Sequence, residues 1–487
     1  MGKTKISLYW HDYETFGTDP VRDRPAQFAG IRTDEELNII GDPLSIYCKP
    51  ADDVLPQPEA CLVTGITPQV ALEKGEIESE FIARIHEQLS VPGTCGVGYN
   101  SVRFDDEVTR NTLYRNFYDP YAREWQNNNS RWDIIDMVRL TYALRPEGIE
   151  WPTREEGKPS FRLDQLTIAN GIEHEAAHDA MSDVYATIEM AKLIKRLQPR
   201  LYQYVFEHRF KRMVSQQLNI KEMKPVLHVS GMYPGEVGCL AMVVPLMQHP
   251  TNQNEIAVYD LRYDPAPLLE LDAEQIQERL FTPTSELPEG VERMPLKTVR
   301  INKCPVIVPL NTMDDRAAER LSISVSDSQG HLEKIKRAID AGLDLAGKLR
   351  QVFSDRVYDE ISDPDLSLYS GGFFSNADRN TMQQLHSLTP EELGKSAPIF
   401  EDSRLPEMLF RYRARNFPQT LSSDEHDRWA EYRKERLTQS DGGGSLTLEE
   451  YMKRVKELLS QPELTERDQS VLNELVAYGN QMENSLD

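Results

Sequence analysis

The amino-terminal part of the chain shows two kinds of hydrophobic pattern, one typical of strands and one typical of helices. Strands are predicted by runs rich in β-branched and aromatic residues, ISLYW, QFAGIRT, LSIYCKP and TCGVGYN. The stretch VTGITPQVALEKG indicates a turn that leads into a helix, with Thr67 as the N-cap and Pro68 at the first helical position. Further helices are predicted in RFDDEVTRNTLYRNF, WDIIDMVRLTYAL and DAMSDVYATIEMAKLIKRL. Strands that alternate with helices predict an α/β unit with a mixed sheet.

The pattern changes twice beyond this unit, and 487 residues are too many for a single core. Short β-like runs broken by Pro and Gly occupy residues 199–356, whereas residues 357–487 are helical in pattern and highly charged. We therefore predict three domains, at 1–198, 199–356 and 357–487. Within the last of them, SDGGGSLT at 440–447 predicts a flexible turn.

Charge is distributed unevenly along the chain. The net charge of −24 argues on its face against a polyanionic partner. Residues 200–224, however, contain six Lys or Arg against two Glu, and RYRARNF at 411–417 is both basic and aromatic. Folding can collect these stretches into one positive groove, or they can be solvated helix faces. Both interpretations stay open.

The sequence also bears on location. No apolar run approaches the ~20 residues needed to span a bilayer, and the first residues do not resemble a signal peptide. The five cysteines are scattered and form no CxxC pair, so neither a zinc site nor a disulfide framework is indicated. We expect a cytoplasmic protein without a membrane partner.

The segment HDYETFG, directly after the first predicted strand, places acids where burial makes charge expensive. Asp12 and Glu14 are two positions apart, so they point to the same face of the strand. Buried carboxylates cost several kcal/mol unless a positive group pairs with them. The pair therefore indicates a bound cation, although two solvated acids at an exposed strand end would give the same pattern.

Three more residues extend this set. Asp105 begins a predicted helix just after a strand, where the helix dipole alone would also favour an acid. In HEAAHDAMSD we expect His178 on a loop or first turn and Asp183 inside the helix, because positions five apart do not share a helix face. Four carboxylates and a histidine at the ends of elements are a set that two divalent cations would explain, and oxygen ligands suit Mg²⁺.

The order Asp-x-Glu, Asp, His-x4-Asp resembles the histidine-bearing branch of the DEDD exonuclease superfamily, and VTGIT fits the same pattern. Other segments resemble the bacterial exodeoxyribonuclease I family along nearly the whole chain, among them YNSVRFDDEVTRN, FYDPYAREWQ, SFRLDQL, MKPVLHVSGM, GGFFSNADR and RYRARNFPQTL. The resemblance implies a ribonuclease-H-like exonuclease domain with a mixed sheet, an SH3-like β-barrel domain and a helical carboxyl-terminal domain. The tail after Thr438 and the segment MYPGEVGC at 232–239 depart from the family pattern.

The activity implied by this resemblance is 3′-to-5′ degradation of single-stranded DNA with a free 3′ end. The products would be 5′-mononucleotides, the cofactor two Mg²⁺ ions per site, and the setting DNA repair and recombination. The resemblance also implies that the carboxyl-terminal tail of the single-stranded-DNA-binding protein docks on a basic patch. We expect the enzyme to be a monomer.

Each site residue then has an expected role. Asp12, Glu14 and Asp183 are the expected principal metal ligands, and Asp105 is expected to hold one ion mainly through water. His178, whose ordinary pKa lies near neutrality, is suited to take a proton from the attacking water.

Candidate substrate contacts are mainly cations and aromatic rings, the residue types that hold single strands, together with one acid and one aliphatic residue. They are Glu14, Ile66, Arg110, Tyr121, Trp125, Arg139, Arg162 and Lys211. Four of them have a simpler alternative: Tyr121 and Trp125 as core residues, Arg162 as a surface helix charge, and Ile66 as a turn residue facing the interior rather than a wedge against the terminal base.

Two other functions are compatible with parts of the pattern. One is a 3′–5′ exoribonuclease of the same branch, because the five-residue set does not separate RNA from DNA. Those enzymes resemble only the first domain, so the residues beyond 198 argue against this alternative. The other is an inactive nucleic-acid-binding scaffold, against which the presence of all five site residues argues.

Overall fold

The computed structural model describes residues 5–154, 157–174, 179–354 and 361–486. Contacts divide the chain into two compact units. The first comprises Met1–Ser130, His174–Ile188 and Asp359–Asp487, and the second Arg131–Glu173 and Glu189–Tyr358. This grouping by contact differs from the domains predicted along the sequence, whose boundaries stay a prediction. The predicted boundary at 356–357 lies outside the described residues.

The first sheet carries the acidic segment on its central strand. Its strands are β1 (Ser7–Thr15), β2 (Pro25–Thr33), β3 (Leu44–Tyr47), β4 (Thr94–Gly98) and β5 (Ser130–Asp133), in the order β3-β2-β1-β4-β5. β1 runs antiparallel to β2 and parallel to β4, so the sheet is mixed, as predicted.

The strand register shows that Asp12 and Glu14 lie beyond the hydrogen-bonded pairing of β1 with β4. β1 pairs with β4 from Ser7 to Trp10, so the acids that follow lie beyond this pairing. On the other side, Asp12 is opposite Ala29 and Glu14 is opposite Gln27, and the register shifts directly after Glu14. The end of β1 therefore leaves one side open, a common position for ligands in open α/β sheets.

The helices of the described residues follow in chain order. They are α1 (Pro58–Thr64), α2 (Pro68–Lys74), α3 (Glu78–Leu89), α4 (Asp105–Arg115), α5 (Ile135–Leu144), α6 (Leu163–Ala169), α7 (Ala180–Leu197), α8 (Pro199–Glu207), α9 (Lys211–Gln217), α10 (Ala266–Glu270), α11 (Ala273–Phe281), α12 (Asp315–Arg320), α13 (Val325–Asp340), α14 (Leu345–Ser354), α15 (Asn376–Leu385), α16 (Pro390–Lys395), α17 (Leu405–Asn416), α18 (Ser423–Thr438), α19 (Leu448–Leu459) and α20 (Glu466–Asn484).

Local predictions near the site are confirmed with two corrections. The Thr67 side chain accepts from the backbone N–H of Val70 and caps α2, with Pro68 at the first helical position. Of the preceding residues, which were predicted as a turn, Val63 and Thr64 are the end of α1, and Gly65 and Ile66 form the non-helical connection to α2. The predicted helix WDIIDMVRLTYAL begins later than expected, because Trp132 and Asp133 complete β5 and α5 starts at Ile135.

The core of the first unit is built from both ends of the chain. One cluster on the sheet joins Tyr13 and Phe28 to Phe81 and Ile85 of α3. A second cluster joins residues around β1 and α1 to the last two helices; its members include Phe16, Ala26, Leu55, Cys61, Ile66, Ala71, Tyr451, Leu472 and Leu475. The helical carboxyl-terminal segment therefore completes the core beneath the end of β1.

The second unit contains an antiparallel sheet of the predicted β-like runs. Its strands β6 (Val226–Val229), β7 (Leu240–Gln248), β8 (Glu255–Asp260), β9 (Leu296–Arg300) and β10 (Ile307–Pro309) pair in the order β10-β6-β7-β8-β9. The helices of this region were not predicted from the sequence. Of these, α11 is amphipathic and starts with a capping box at Asp272 and Gln275, a signal visible in the sequence.

Candidate active site

Three carboxylates meet where β1 ends and α7 begins. Asp12 and Glu14 come from the same face of β1, and Asp183 from the first turn of α7. One oxygen of each lies within 4.8 Å of those of the other two, close enough to share a metal ion. The structure thus brings together the three residues that the sequence predicts as principal ligands.

The cluster is electrostatically costly without a cation. Burial, followed by the charges of Asp183, Asp105 and Asp179, raises the pKa of Glu14 to about 9. Burial, followed by the charges of Asp105, Glu14 and Asp183, raises the pKa of Asp12 well above its usual range. Because each acid makes its neighbours harder to ionise, a cation at this point would relieve both desolvation and repulsion.

The donor set fits a hard divalent cation. All three side chains offer carboxylate oxygens, which Mg²⁺ prefers. The solvated-acid alternative is wrong for Glu14, because its side chain is buried. The observation establishes an acidic metal-binding triad.

Asp105 lies beside this triad in the first turn of α4. One of its carboxylate oxygens accepts a hydrogen bond from the backbone N–H of Tyr13, between the two acids of β1, at 3.0 Å. Its charge raises the pKa of both Asp12 and Glu14. Asp105 thus ties α4 to the acidic end of β1 and adds to its negative potential.

His178, the predicted general base, lies outside the described residues. The structure shows another histidine at the cluster, which the sequence analysis missed. His174 Nε2 lies 2.5 Å from Asp183 Oδ1, and its side chain is only 2% exposed. A contact of this kind fixes the orientation of a ligating carboxylate. The available signal was a second histidine in the same HEAAHDAMSD segment.

Aromatic residues in the first unit provide exposed stacking surface. Trp125 is 65% exposed, so the core alternative is wrong for this residue. Tyr121 is partly buried, and its ring makes an edge-to-face contact at 6.3 Å with Phe373, which is 83% exposed. Exposed rings can stack on the bases of a single strand.

Two predicted substrate contacts are placed differently. Arg110 is 4% exposed, and its guanidinium donates to Glu107 and Glu124 at 2.7–2.9 Å. This pairing argues against direct contact with DNA and instead fixes Arg110 beneath the Tyr121 ring, 5.4 Å from its centroid. Ile66 is 6% exposed within the second core cluster, which agrees with the interior-facing alternative and argues against a base wedge.

The remaining predicted contacts belong to the second unit. Arg139 is ion-paired with Asp136 at 2.6 Å. Arg162 is exposed and paired with Asp164 at 3.0 Å, and Lys211 is exposed and donates to Asn254 at 2.6 Å. The basic stretch at 200–224 is mostly on the surface: its exposed cations are Arg200, Lys211, Arg212, Lys221 and Lys224.

The basic stretch RYRARNF does not form an exposed positive groove. Its arginines in α17 are buried in the first unit or nearly so, and each is ion-paired. Arg411 pairs with Asp363, Arg413 with Glu425, and Arg415 with both Asp53 and Asp365. The positive charge of these arginines is neutralised by ion pairs within the protein, because acids from other parts of the chain reach the guanidinium groups.

Three family descriptions match consecutive parts of the chain. They are "Exonuclease" over residues 9–191, "Exonuclease I SH3-like domain" over 209–355 and "Exonuclease I C-terminal domain" over 362–482. These matches confirm the predicted fold class: a DEDD exonuclease domain with a mixed sheet, an SH3-like domain and a helical carboxyl-terminal domain.

Individual proteins are similar over nearly the full length. Exodeoxyribonuclease I of Escherichia coli strain K12 is 50% identical over 438 residues, 90% of this chain and 91% of that protein. A moderately thermophilic exonuclease I from Methylocaldum szegediense has a TM-score of 0.93 at 57% identity, covering 98% of this chain and 99% of that one. The zinc-bound form of the E. coli exonuclease I complex with single-stranded DNA has a TM-score of 0.92 at 47% identity, covering 98% and 99%.

A search of the described helices for membrane spans found none that is both long and apolar enough to cross a bilayer.

Proposed function

The chain belongs to the exodeoxyribonuclease I family, an exonuclease family acting on single-stranded DNA, and we propose that it removes 5′-mononucleotides from the 3′ end by two-metal hydrolysis. The observation that carries this mechanism is the triad of Asp12, Glu14 and Asp183 within 4.8 Å at the open end of β1. The proposed setting is DNA repair and recombination in the cytoplasm, with the enzyme acting as a monomer.

Asp12, Glu14 and Asp183 are the residues that would hold two Mg²⁺ ions, with Asp105 contributing mainly through water. When bound, the ions would supply positive charge at the reacting phosphate and lower the pKa of the attacking water. Glu14, at the end of β1, is also a proposed contact of the terminal nucleotide. Asp105 keeps the end of β1 in place through its bond with the Tyr13 N–H.

The histidines of the HEAAHDAMSD segment divide two tasks. His178 takes the proton from the attacking water as general base. His174 is a positioning residue. Its ring nitrogen Nε2 lies 2.5 Å from Asp183 Oδ1, and this contact restricts the Asp183 carboxylate to one orientation.

Other residues of the chain are proposed to bind the single-stranded DNA. The exposed Trp125 and the partly exposed Tyr121 are suited to stack on bases. Arg139, Arg162 and Lys211 are the proposed phosphate contacts, and the exposure of Arg162 and Lys211 supports this for both. The division into domains 1–198, 199–356 and 357–487 is also a proposal, and it rests on the changes of hydrophobic pattern along the sequence.

A protein partner is also proposed, the carboxyl-terminal tail of the single-stranded-DNA-binding protein. The exposed cations of the 200–224 stretch support this docking, since they offer a basic patch on an otherwise acidic protein of net charge −24.

Matched single strands of DNA and RNA, labelled at either end, test the proposal. We expect nucleotides to leave the 3′ end of DNA with Mg²⁺, and hydrolysis to stop in excess chelator. Preferential hydrolysis of RNA would instead favour the exoribonuclease alternative. Binding without hydrolysis would favour the inactive scaffold. Asp42→Asn, at an exposed acid of the same unit, is the matched control for variants of the triad.

A further inference from the structure

Two short helices beside the active site depend on the carboxyl-terminal end of the chain. α1 and α2 have seven residues each, and isolated helices of this length are unstable in water. A backbone hydrogen bond connects them to the end of β1. The N–H of Gln57, the residue before α1, donates to the carbonyl of Phe16 at 2.6 Å. Phe16 is two residues beyond Glu14, so displacement of α1 would be transmitted directly to a proposed metal ligand.

Polar groups of α20 form hydrogen bonds with the turn between these helices and with the residues next to it. The Thr67 hydroxyl donates to Glu474 Oε2 at 2.5 Å, and the Gln69 side chain donates to the Glu474 carbonyl at 2.6 Å. On the other side of the turn, Arg467 donates to the carbonyl of Val63 at 3.4 Å. The carboxyl-terminal helix thus contacts the turn before and after its tip.

The Thr67 contact is well suited to fix this turn. Thr67 caps α2 by accepting from the Val70 N–H, and its own hydroxyl hydrogen goes to Glu474. Glu474 therefore sets the direction in which the capping lone pair points. At the tip, Gly65 has φ +74°, and a Cβ there would lie 2.7 Å from the Arg467 guanidinium. The α20 side chains and the turn are in close contact.

Apolar packing supports the same arrangement. Cys61, Ile66 and Ala71 from α1, the turn and α2 share one buried cluster with Tyr451 of α19 and Leu475 of α20. The cluster also contains Phe16 and Ala26, from either side of the loop that follows β1. The packing is continuous from the last helix to the strand that carries Asp12 and Glu14.

A third contact ties the loop after β1 to the same part of the chain. Ser445, in the glycine-rich segment before α19, donates to Asp23 Oδ1 at 2.5 Å. The other oxygen of Asp23 accepts from the Asp19 N–H at 2.8 Å and from the Gln57 side chain at 2.9 Å. The segment predicted to be a flexible turn therefore anchors the β1–β2 loop to the start of α1.

We propose that α19 and α20 form a clamp that holds the turn between α1 and α2 and, through it, the end of β1 that carries Asp12 and Glu14, with Glu474 and Arg467 as positioning residues. The catalytic importance of the end of β1 rests on the proposed function; the contacts that make the clamp do not. The tail after Thr438 would then be a working part of the exonuclease site. The expectation that it departs from the family pattern is wrong as far as residue 482, where the match to the Exonuclease I C-terminal domain ends.

Glu474→Ala tests the clamp without removing the core cluster. The Thr67 hydroxyl loses its acceptor, the turn gains freedom, and kcat on single-stranded DNA should fall by about tenfold, because small misplacements of a substrate have large effects on rate. The Mg²⁺ concentration for half-maximal rate should not change, since the triad is intact. Glu474→Gln keeps an acceptor oxygen and should restore most of kcat.

Two further measurements separate positioning from general stability. Amide hydrogen exchange at residues 58–75 should become faster in Glu474→Ala but not in Glu483→Ala, an exposed acid on the same helix. In a double-mutant cycle, Thr67→Val and Glu474→Ala together should cost little more than one of them alone. Rates are compared well below each variant's melting midpoint.

A Glu474→Ala enzyme with wild-type kcat and wild-type exchange at 58–75 would overturn the clamp, even if its melting midpoint fell. The clamp would also be overturned if Glu474→Ala and Glu474→Gln lost kcat equally and the effects of Thr67→Val and Glu474→Ala were additive in the double-mutant cycle. Failure of the proposed function looks different: the wild-type protein itself would not release nucleotides from single-stranded DNA with Mg²⁺.

Discussion

At the scale of single residues, the acids of the triad carry a cost that can be measured in the absence of metal. Burial and neighbouring carboxylates raise the pKa of Glu14 to about 9 and that of Asp12 well above its usual range. A raised folded-state pKa favours the protonated acid. The associated stability is therefore complete below the unfolded-state pKa of about 4 and is lost as the pH rises through the folded-state value.

Asp12→Asn should accordingly stabilise the metal-free protein at pH 8. Removing one charge relieves the repulsion on Glu14, so the melting midpoint in chelator should rise by about 2 °C or more. The advantage should shrink towards pH 4, where the wild-type acids are protonated. Thermal unfolding of both proteins across this pH range, with Asp42→Asn as control, is the measurement. A lower midpoint for Asp12→Asn at pH 8 would show that Asp12 is structural.

The proposed base is tested separately from the ligands. His178→Ala should lose at least about 10²-fold in single-turnover rate, the low end of general-base contributions. Metal affinity should be retained, because the three carboxylates are unchanged. An unaltered rate when chemistry limits turnover would assign His178 a structural role.

Residue-level predictions were accurate where a local pattern carries the chemistry. The spacing of Asp12 and Glu14 fixes their shared face in any strand, so their meeting could be expected from the sequence. The pairing of Arg110 with Glu124 could not be expected from the sequence, because it depends on how the chain folds back after α4. The contact of His174 with Asp183 depends likewise on the path of the segment before α7.

At the scale of elements, α17 is held by a buried network of charges in the first unit. Burial alone would raise the pKa of Asp365, but the charges of Arg415 and Arg411 outweigh this effect and lower it. A lowered pKa means stability that is present above the unfolded-state value and is lost as the pH falls. The network thus stabilises the protein at neutral pH and weakens in acid.

Asp365→Asn should destabilise the protein by about 3–5 kcal/mol at pH 8, the usual cost of leaving buried charges uncompensated. The difference from wild type should narrow as the pH falls. Denaturant unfolding at several pH values, with the exposed Asp441→Asn as control, measures it. Wild-type stability for Asp365→Asn would contradict the role given to the network.

The same network shows why a charged pattern can mislead. RYRARNF has the composition of a nucleic-acid-binding surface, yet its partners Asp53, Asp363 and Asp365 are remote or separate in sequence. Helix α1 was missed for a related reason. It lacks a side-chain N-cap bond and is only seven residues long, so packing rather than local sequence accounts for it.

At the scale of the whole molecule, an acidic protein of net charge −24 must hold an acidic polymer through localised cations. The bulk charge repels DNA elsewhere and favours a strand bound along a defined path. The core of the first unit also depends on both ends of the chain, since Phe16 and Ile66 are buried with Leu472 and Leu475. Linear domain boundaries did not anticipate this, because the packing partners are some 400 positions apart.

Lys211→Ala tests the localised cations. If Lys211 contacts a phosphate, the variant should bind single strands of any sequence more weakly. Its log–log dependence of affinity on salt should be shallower by about 0.7. Lys453→Ala, at an exposed lysine of α19, should leave both quantities unchanged. An identical salt slope for Lys211→Ala and wild type would remove Lys211 from the DNA path.

The proposed hydrolysis depends on cations held by Asp12, Glu14 and Asp183. The most direct measurement is the single-turnover rate on single-stranded DNA as a function of Mg²⁺ concentration, for the wild type and Asp183→Asn. We expect no wild-type cleavage in excess chelator, a wild-type rate that rises with Mg²⁺ to saturation, and no recovery of Asp183→Asn at any Mg²⁺ concentration, although the variant still binds DNA. Wild-type cleavage in excess chelator, or a wild-type rate in Asp183→Asn, would contradict this dependence.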